Sequence, residues 1–184
     1  MKPMPMRMYC ALAAGMVMLL MTFRFEVALA ANGRVPTIKQ VDWEMLLPVG
    51  ERGRDVHTPP PPIHDYLGEG SPAALQLGSY TVNPELDGAW VRIPGFVVPL
   101  RTESDGTIVE FLLVPYFGAC IHVPPPPPNQ IVYVRMKGPG GPKTMMDAVW
   151  LTGRMSTKVS RSDLASAAYT LEAEHVEPYQ FGSH

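Results

Sequence analysis

The chain has 184 residues, a formal net charge of −2 and 21 prolines beside 16 glycines, so proline stands at about twice its usual share of roughly 5%. Proline removes an amide donor and clashes with the preceding helical turn, which excludes a helical bundle, a coiled coil or a helix-lined transporter as the bulk of the protein. The near-neutral charge gives no general pull toward nucleic acid, and a 46% apolar composition at this length suits one domain with one core.

The first thirty residues read as a leader. Lys2 and Arg7 form a positive start, Tyr9 to Phe23 an apolar run, and Ala28-Leu29-Ala30 a small-x-small cleavage pattern. The run would span about 22 Å as helix, short of the roughly 30 Å hydrocarbon core. Residues 1–30 are therefore expected to be a cleaved signal peptide, placing the mature protein in the periplasm. Cys10 precedes the apolar run, a poor position for lipid attachment, so membrane tethering is not expected after cleavage. Three of the 15 basic residues lie in the leader, and the mature chain is more acidic than the precursor. It retains Cys120 as its one cysteine of the two. A lone thiol in an oxidising compartment has no internal disulfide partner; it is buried, ligates a metal, captures oxidants or pairs between molecules.

Residues 31–74 read as an extended, flexible N-terminal arm. Within it Val41 to Leu47 suggests one or two helical turns, capped by Asp42 and ended by Pro48. Residues 49–72 are polar and Gly-rich, broken by Pro59 to Pro62, a polyproline II segment.

Residues 75–184 read as a β domain. Trp90 to Leu100 is an apolar strand bent at Gly95. Ile108 to Val114 is a nearly continuous buried strand containing Glu110, and Ile131 to Met136 is short and β-branched. Gly138 to Pro142 is a loop without a helix. Ala148 to Met155 repeats the glycine-in-a-strand feature at Gly153. Ala168 to Val176 alternates, with Tyr169, Leu171, Ala173 and His175 on the expected inward face. Five short strands, two of them bent at glycine, predict a mainly β fold: a small five-stranded OB-like Greek-key barrel. A β-sandwich fragment is the alternative.

The most unusual stretch joins the second and third strands: Val114 to Gln130, VPYFGACIHVPPPPPNQ. Gly118 permits a sharp turn, and Cys120 and His122 stand two apart, on one side of an extended backbone. Pro124 to Pro128 would form a rod with little chain entropy to lose, holding that pair in place. Asn129 and Gln130 end the rod with side-chain amides free to bond the backbone. Thiolate and imidazole together favour zinc or copper over magnesium or calcium. His175 is the first candidate for a third metal ligand, Glu110 the second and Asp147 the third. His57 and His64 flank the tetraproline and read more simply as solvated. The competing readings are an incidental Cys-x-His pair, a core histidine at 175 and a rim carboxylate at 110.

The run GFVVPL followed by EFLLVPYFGACIHVPPPPPNQ resembles the signature of an uncharacterised family of exported proteobacterial proteins, classed as a domain of unknown function. The resemblance covers Trp43 and then Leu77 to the C-terminus. It implies no known enzymatic activity, and it implies a setting beside metal-type ABC importers under zinc control. Members of that family often begin as lipoproteins, a feature this leader lacks.

Three functions compete. One is an exported, non-enzymatic accessory protein with a zinc or copper site on the Cys-x-His polyproline loop, linked to metal uptake through a metal-transport or envelope partner. Another is a protein-interaction module using the barrel and the polyproline loop. The third is a thiol enzyme with Cys120 activated by His122 or His175. No P-loop, Rossmann glycine pattern or HExxH motif is present. The expected reading is the accessory protein, with metal ligands drawn from Cys120, His122, His175 and Glu110, and no nucleic-acid partner.

Overall fold

A computed structural model of the protein describes residues 36–53, 76–121 and 125–180. Its strands, in chain order, are β1 (Lys39–Gln40), β2 (Trp90–Thr102), β3 (Ile108–Val114), β4 (Val132–Met136), β5 (Ala148–Ser156), β6 (Ser160–Arg161), β7 (Ser166–Ala167) and β8 (Tyr169–Pro178). β2 pairs antiparallel with β3 and β3 with β4; β4 then runs parallel to β8. β8 pairs antiparallel with β5, and β5 returns to β2, closing a five-stranded mixed barrel of the OB kind. The expected strands are all present to within two residues, and the 138–142 loop carries no helix.

Closure depends on β2 serving two neighbours. Trp90 to Phe96 pair with β5, and Phe96 to Thr102 pair with β3. The chain turns this corner at Gly95, where a Cβ would lie 2.6 Å from Leu113 Cγ and 2.9 Å from Trp43 Cζ2. Gly153 sits beside a register shift in the β5–β8 pairing, and a side chain there would strike the Glu172 carbonyl. Both glycines therefore mark the barrel's strongly coiled points, as the sequence predicts.

Alternation along each strand separates two apolar layers. Ile93, Val97, Phe111, Leu113, Val134 and Leu171 fill the barrel. Val98, Leu112, Val114 and Tyr133 point outward, yet they too are buried, under Tyr116, Ala119, Ile131, Ala165 and Ala167. A wall covered on both faces explains why β3 reads as a nearly continuous apolar run.

The N-terminal region corrects the expected arm. Residues 37–53 belong to the same compact unit as the barrel. β1 pairs parallel with the start of β2, and Val41, Trp43, Leu46 and Leu47 are buried. The short helix is a single 3-10 turn, Glu44–Leu46, with Asp42 Oδ1 accepting the Met45 N–H at 2.9 Å. Trp43 donates its indole N–H to the Pro94 carbonyl at 2.8 Å. Burial of four apolar side chains outweighs the polar character of their surroundings, so this part of 31–74 is a wall of the domain. Residues 1–35, with the leader, and 54–75, with the tetraproline, His57 and His64, lie outside the described residues.

Candidate functional site

The connection from β3 to β4 is built on the outer face of the barrel wall. After Val114 the chain turns at Gly118 (φ 86°) and again at Cys120 (φ 65°), with the Ile121 N–H donating to the Gly118 carbonyl at 3.3 Å. Tyr116 and Ala119 face the wall and are buried. Phe117, 65% exposed, and Ile121 project from the tip; the Phe117 ring meets Phe96 edge-on at 6.0 Å. Cys120 is half-buried against the outer apolar cluster. A left-handed backbone at a non-glycine residue costs about 1–2 kcal/mol, and the turn is maintained by the packing of Tyr116 and Ala119 on either side of Gly118.

Beyond the turn, the described prolines form a strut inside the structure. Pro125, Pro126 and Pro128 are buried, and the rod's carbonyls are satisfied from several directions. Gln76 Nε2 donates to Pro126 O at 2.9 Å and to Ser166 O at 2.8 Å. The Gln130 N–H donates to Pro127 O and the Ala168 N–H to Pro128 O, each at 2.8 Å. As expected, the amides that follow bond the backbone: Asn129 Nδ2 reaches Thr81 O at 3.0 Å and Gln130 Nε2 reaches Trp43 O at 3.1 Å. Within Pro125–Pro128, Pro127 alone is exposed, so most of this stretch is turned inward.

Electrostatics at the turn are set by dryness. Burial pushes the Cys120 thiol up to about 12. Tyr116 is likewise pushed up to about 12, chiefly by burial and then by the charge on Cys120. The Tyr116 hydroxyl is buried and has no hydrogen-bond partner among the described residues. Met146 approaches the same turn from the β4–β5 connection, where its Sδ accepts the Gly118 N–H at 3.5 Å. Met146 also has a left-handed backbone, φ 63°.

The candidate ligands fare differently. His122 lies outside the described residues. Glu110 sits on the outer face of β3, accepting from the Tyr133 hydroxyl at 2.8 Å, with Arg101 and Arg135 each at 3.5 Å. It is engaged as the centre of a cross-strand charge ladder. His175 is exposed and faces outward, against the expected inward placement. Ala173 pairs with Gly153 and His175 with Thr152, so Glu174 is an extra residue and the alternation slips one place. Asp147 is half-buried in the β4–β5 connection. Among the described residues no three of His, Cys, Asp and Glu come together as a metal-binding group.

Two features escaped the sequence reading. Tyr116 and Met146 stand at the Cys120 turn without any spacing motif to flag them. A cavity of about 220 Å³ is lined by Trp43, Pro94, Gly95, Phe96, Pro115 and Tyr179, residues drawn from both ends of the domain. The outer face of β3–β4, which OB barrels use for oligonucleotides and saccharides, is occupied by the molecule's own Tyr116, Ala165 and Ala167.

The sequence pattern of the family described as "Protein of unknown function (DUF3299)" matches residues 68–178. The chain belongs to the DUF3299 family. A DUF3299 family protein from Pseudomonas aeruginosa PAO1, whose crystal structure was determined at 2.45 Å resolution, is similar to it with 37% identity and a TM-score of 0.65. That similarity covers 80% of this chain and 99% of the other. No curated protein matches the chain. The DUF3299 match includes Cys120, Glu110 and His175 and begins after the Trp43 segment that packs on the barrel.

Proposed function

We propose that this DUF3299 protein is an exported, non-catalytic accessory protein of the periplasm whose β3–β4 loop holds a soft transition metal, zinc or copper, in the service of metal uptake. Cys120 and His122 are the primary ligands in this reading. The observation that carries it is the setting of Cys120, a thiol held on a strained turn between a packed barrel wall and an internal proline strut. Strained backbone at a potential ligand is a mark of functional sites, and rigid support for a ligand is what a metal site needs. Residues 1–30, with their signal-peptide pattern, support export. Glu110 and His175 stay in the proposal only as distant candidates, since the first is engaged by two arginines and the second faces outward.

Phe117 and Ile121 on the same loop, with Met145 from the β4–β5 connection, are exposed apolar side chains. They favour a second reading, in which the loop tip docks on a metal-transport or envelope protein. The thiol-enzyme reading loses support, because a nucleophilic cysteine needs a lowered pKa and burial drives this one upward.

Titration of the mature protein with zinc and, anaerobically, with cuprous ion tests the metal reading. Cys120→Ser and His122→Ala are each expected to weaken binding at least tenfold, as loss of a ligand should. Unchanged affinity in both variants overturns it.

A further inference from the structure

The cavity beside the β2 corner owes its shape to one small residue in a row of large ones. Phe96 pairs with Ala148 across β2 and β5. The Tyr179 N–H donates to the Ala148 carbonyl at 2.9 Å, one residue past the Val149–Pro178 pair of β5 and β8. Directly opposed residues on neighbouring strands share a face, so two aromatic rings flank a single methyl group. All three residues line the cavity, with Trp43, Pro94 and Pro115 in its walls, and its volume is about 220 Å³.

Tyr179 is held in place on the side away from the cavity. Its ring stacks on Trp150 at 5.5 Å. The Arg92 guanidinium lies 4.2 Å from the centre of the Trp150 ring and pairs with Glu177 at 2.7 Å. The lining is therefore formed before anything fills it, which lowers the cost of binding there. An apolar cavity of about 150 Å³ admits benzene, so this one has room for a phenyl group.

The chain itself carries a phenyl group within reach. The described residues end at Gln180, which is exposed, and Phe181 comes next. In extended backbone, residues 179 and 181 point to one side about 7 Å apart. A tether of one residue gives Phe181 an effective concentration at the cavity that a separate molecule does not match. We propose that Phe181 docks in this cavity of its own chain and keeps other apolar ligands out of it. Phe96, which lines the cavity, also meets Phe117 of the exposed β3–β4 loop tip at 6.0 Å. The site that Phe181 occupies is thus continuous with the apolar tip, and the contact forms with or without a metal on that loop.

The test uses the mature protein with selective isotope labels on phenylalanine and alanine. Nuclear Overhauser cross-peaks are expected between the Phe181 ring and the Ala148 methyl group. Benzene, followed through the same methyl resonance, is expected to bind Phe181→Ala roughly tenfold or more tightly than the wild type, because the tethered competitor is gone. Thermal melts establish that the variant folds; if it does not, the wild-type cross-peaks decide alone. A mixture of two differently labelled samples separates contacts within a chain from those between chains. Cross-peaks found only between chains would assign the cavity to a second copy and overturn the inference. Absence of the cross-peaks, or equal benzene affinity in the folded variant and the wild type, would overturn it as well.

Discussion

The Tyr169 hydroxyl donates to the Leu46 carbonyl at 2.6 Å, joining the last barrel strand to a turn 123 residues earlier in the chain. The same oxygen accepts the Asn83 N–H at 2.6 Å, and Asn83 Nδ2 in turn donates to Met45 O at 3.0 Å. Tyr169 is fully buried. Tyr169→Phe would keep the ring and leave a buried donor and a buried acceptor unpaired, costing about 2–4 kcal/mol. Urea denaturation measures this. A loss below roughly 0.5 kcal/mol, the range of ordinary surface substitutions, would show that the joint does not hold the N-terminal segment.

Gly95 is where the Trp43 indole and Leu113 close on β2. Gly95→Ala would drive a methyl into both, and overpacking of this kind costs about 1–3 kcal/mol. A lower unfolding midpoint and a shifted Trp43 fluorescence are expected. Unchanged values for both would mean that the corner has room the geometry does not show.

Cys120 should be a slow nucleophile. With burial holding its thiol near 12, alkylation by iodoacetamide at pH 8 is expected to be far slower than for a free thiol of ordinary pKa, about 8.5. The rate should still be climbing at pH 10, where an unperturbed thiol has levelled off. A plateau reached by pH 9 would contradict the buried setting and reopen the thiol-enzyme reading.

Alkaline stability follows from the same burial. Cys120 has an ordinary value of 9.0, Tyr116 and Tyr169 ordinary values of 10.0, and all three are raised to about 12 in the fold. A raised folded pKa means that the unfolded chain gives up its proton first as pH increases. The protonated groups therefore contribute fully below about pH 9, and the contribution is lost between pH 9 and 12. Unfolding free energy should fall across that interval, and fall less steeply in Tyr169→Phe once its lower baseline is subtracted. A flat profile to pH 12 would contradict the assigned shifts.

By itself, the amino-acid sequence determined the barrel. Period-two alternation, β-branched runs and two in-strand glycines are local signals, and they located all five barrel strands because each strand's burial is written in its own residues. It also located the Cys120 turn, since Gly118 admits a left-handed backbone and the prolines fix φ wherever they occur. Only the tertiary structure decided which faces are covered and by what. The Trp43 segment looked like an arm because its partners, Gly95, Asn83 and Tyr169, lie far along the chain. His175 looked inward because one bulged residue, Glu174, inverts every later side chain in β8 without leaving a mark in composition. Met146 meets Gly118 through packing between loops distant in the chain, and such a contact has no period or spacing from which to read it.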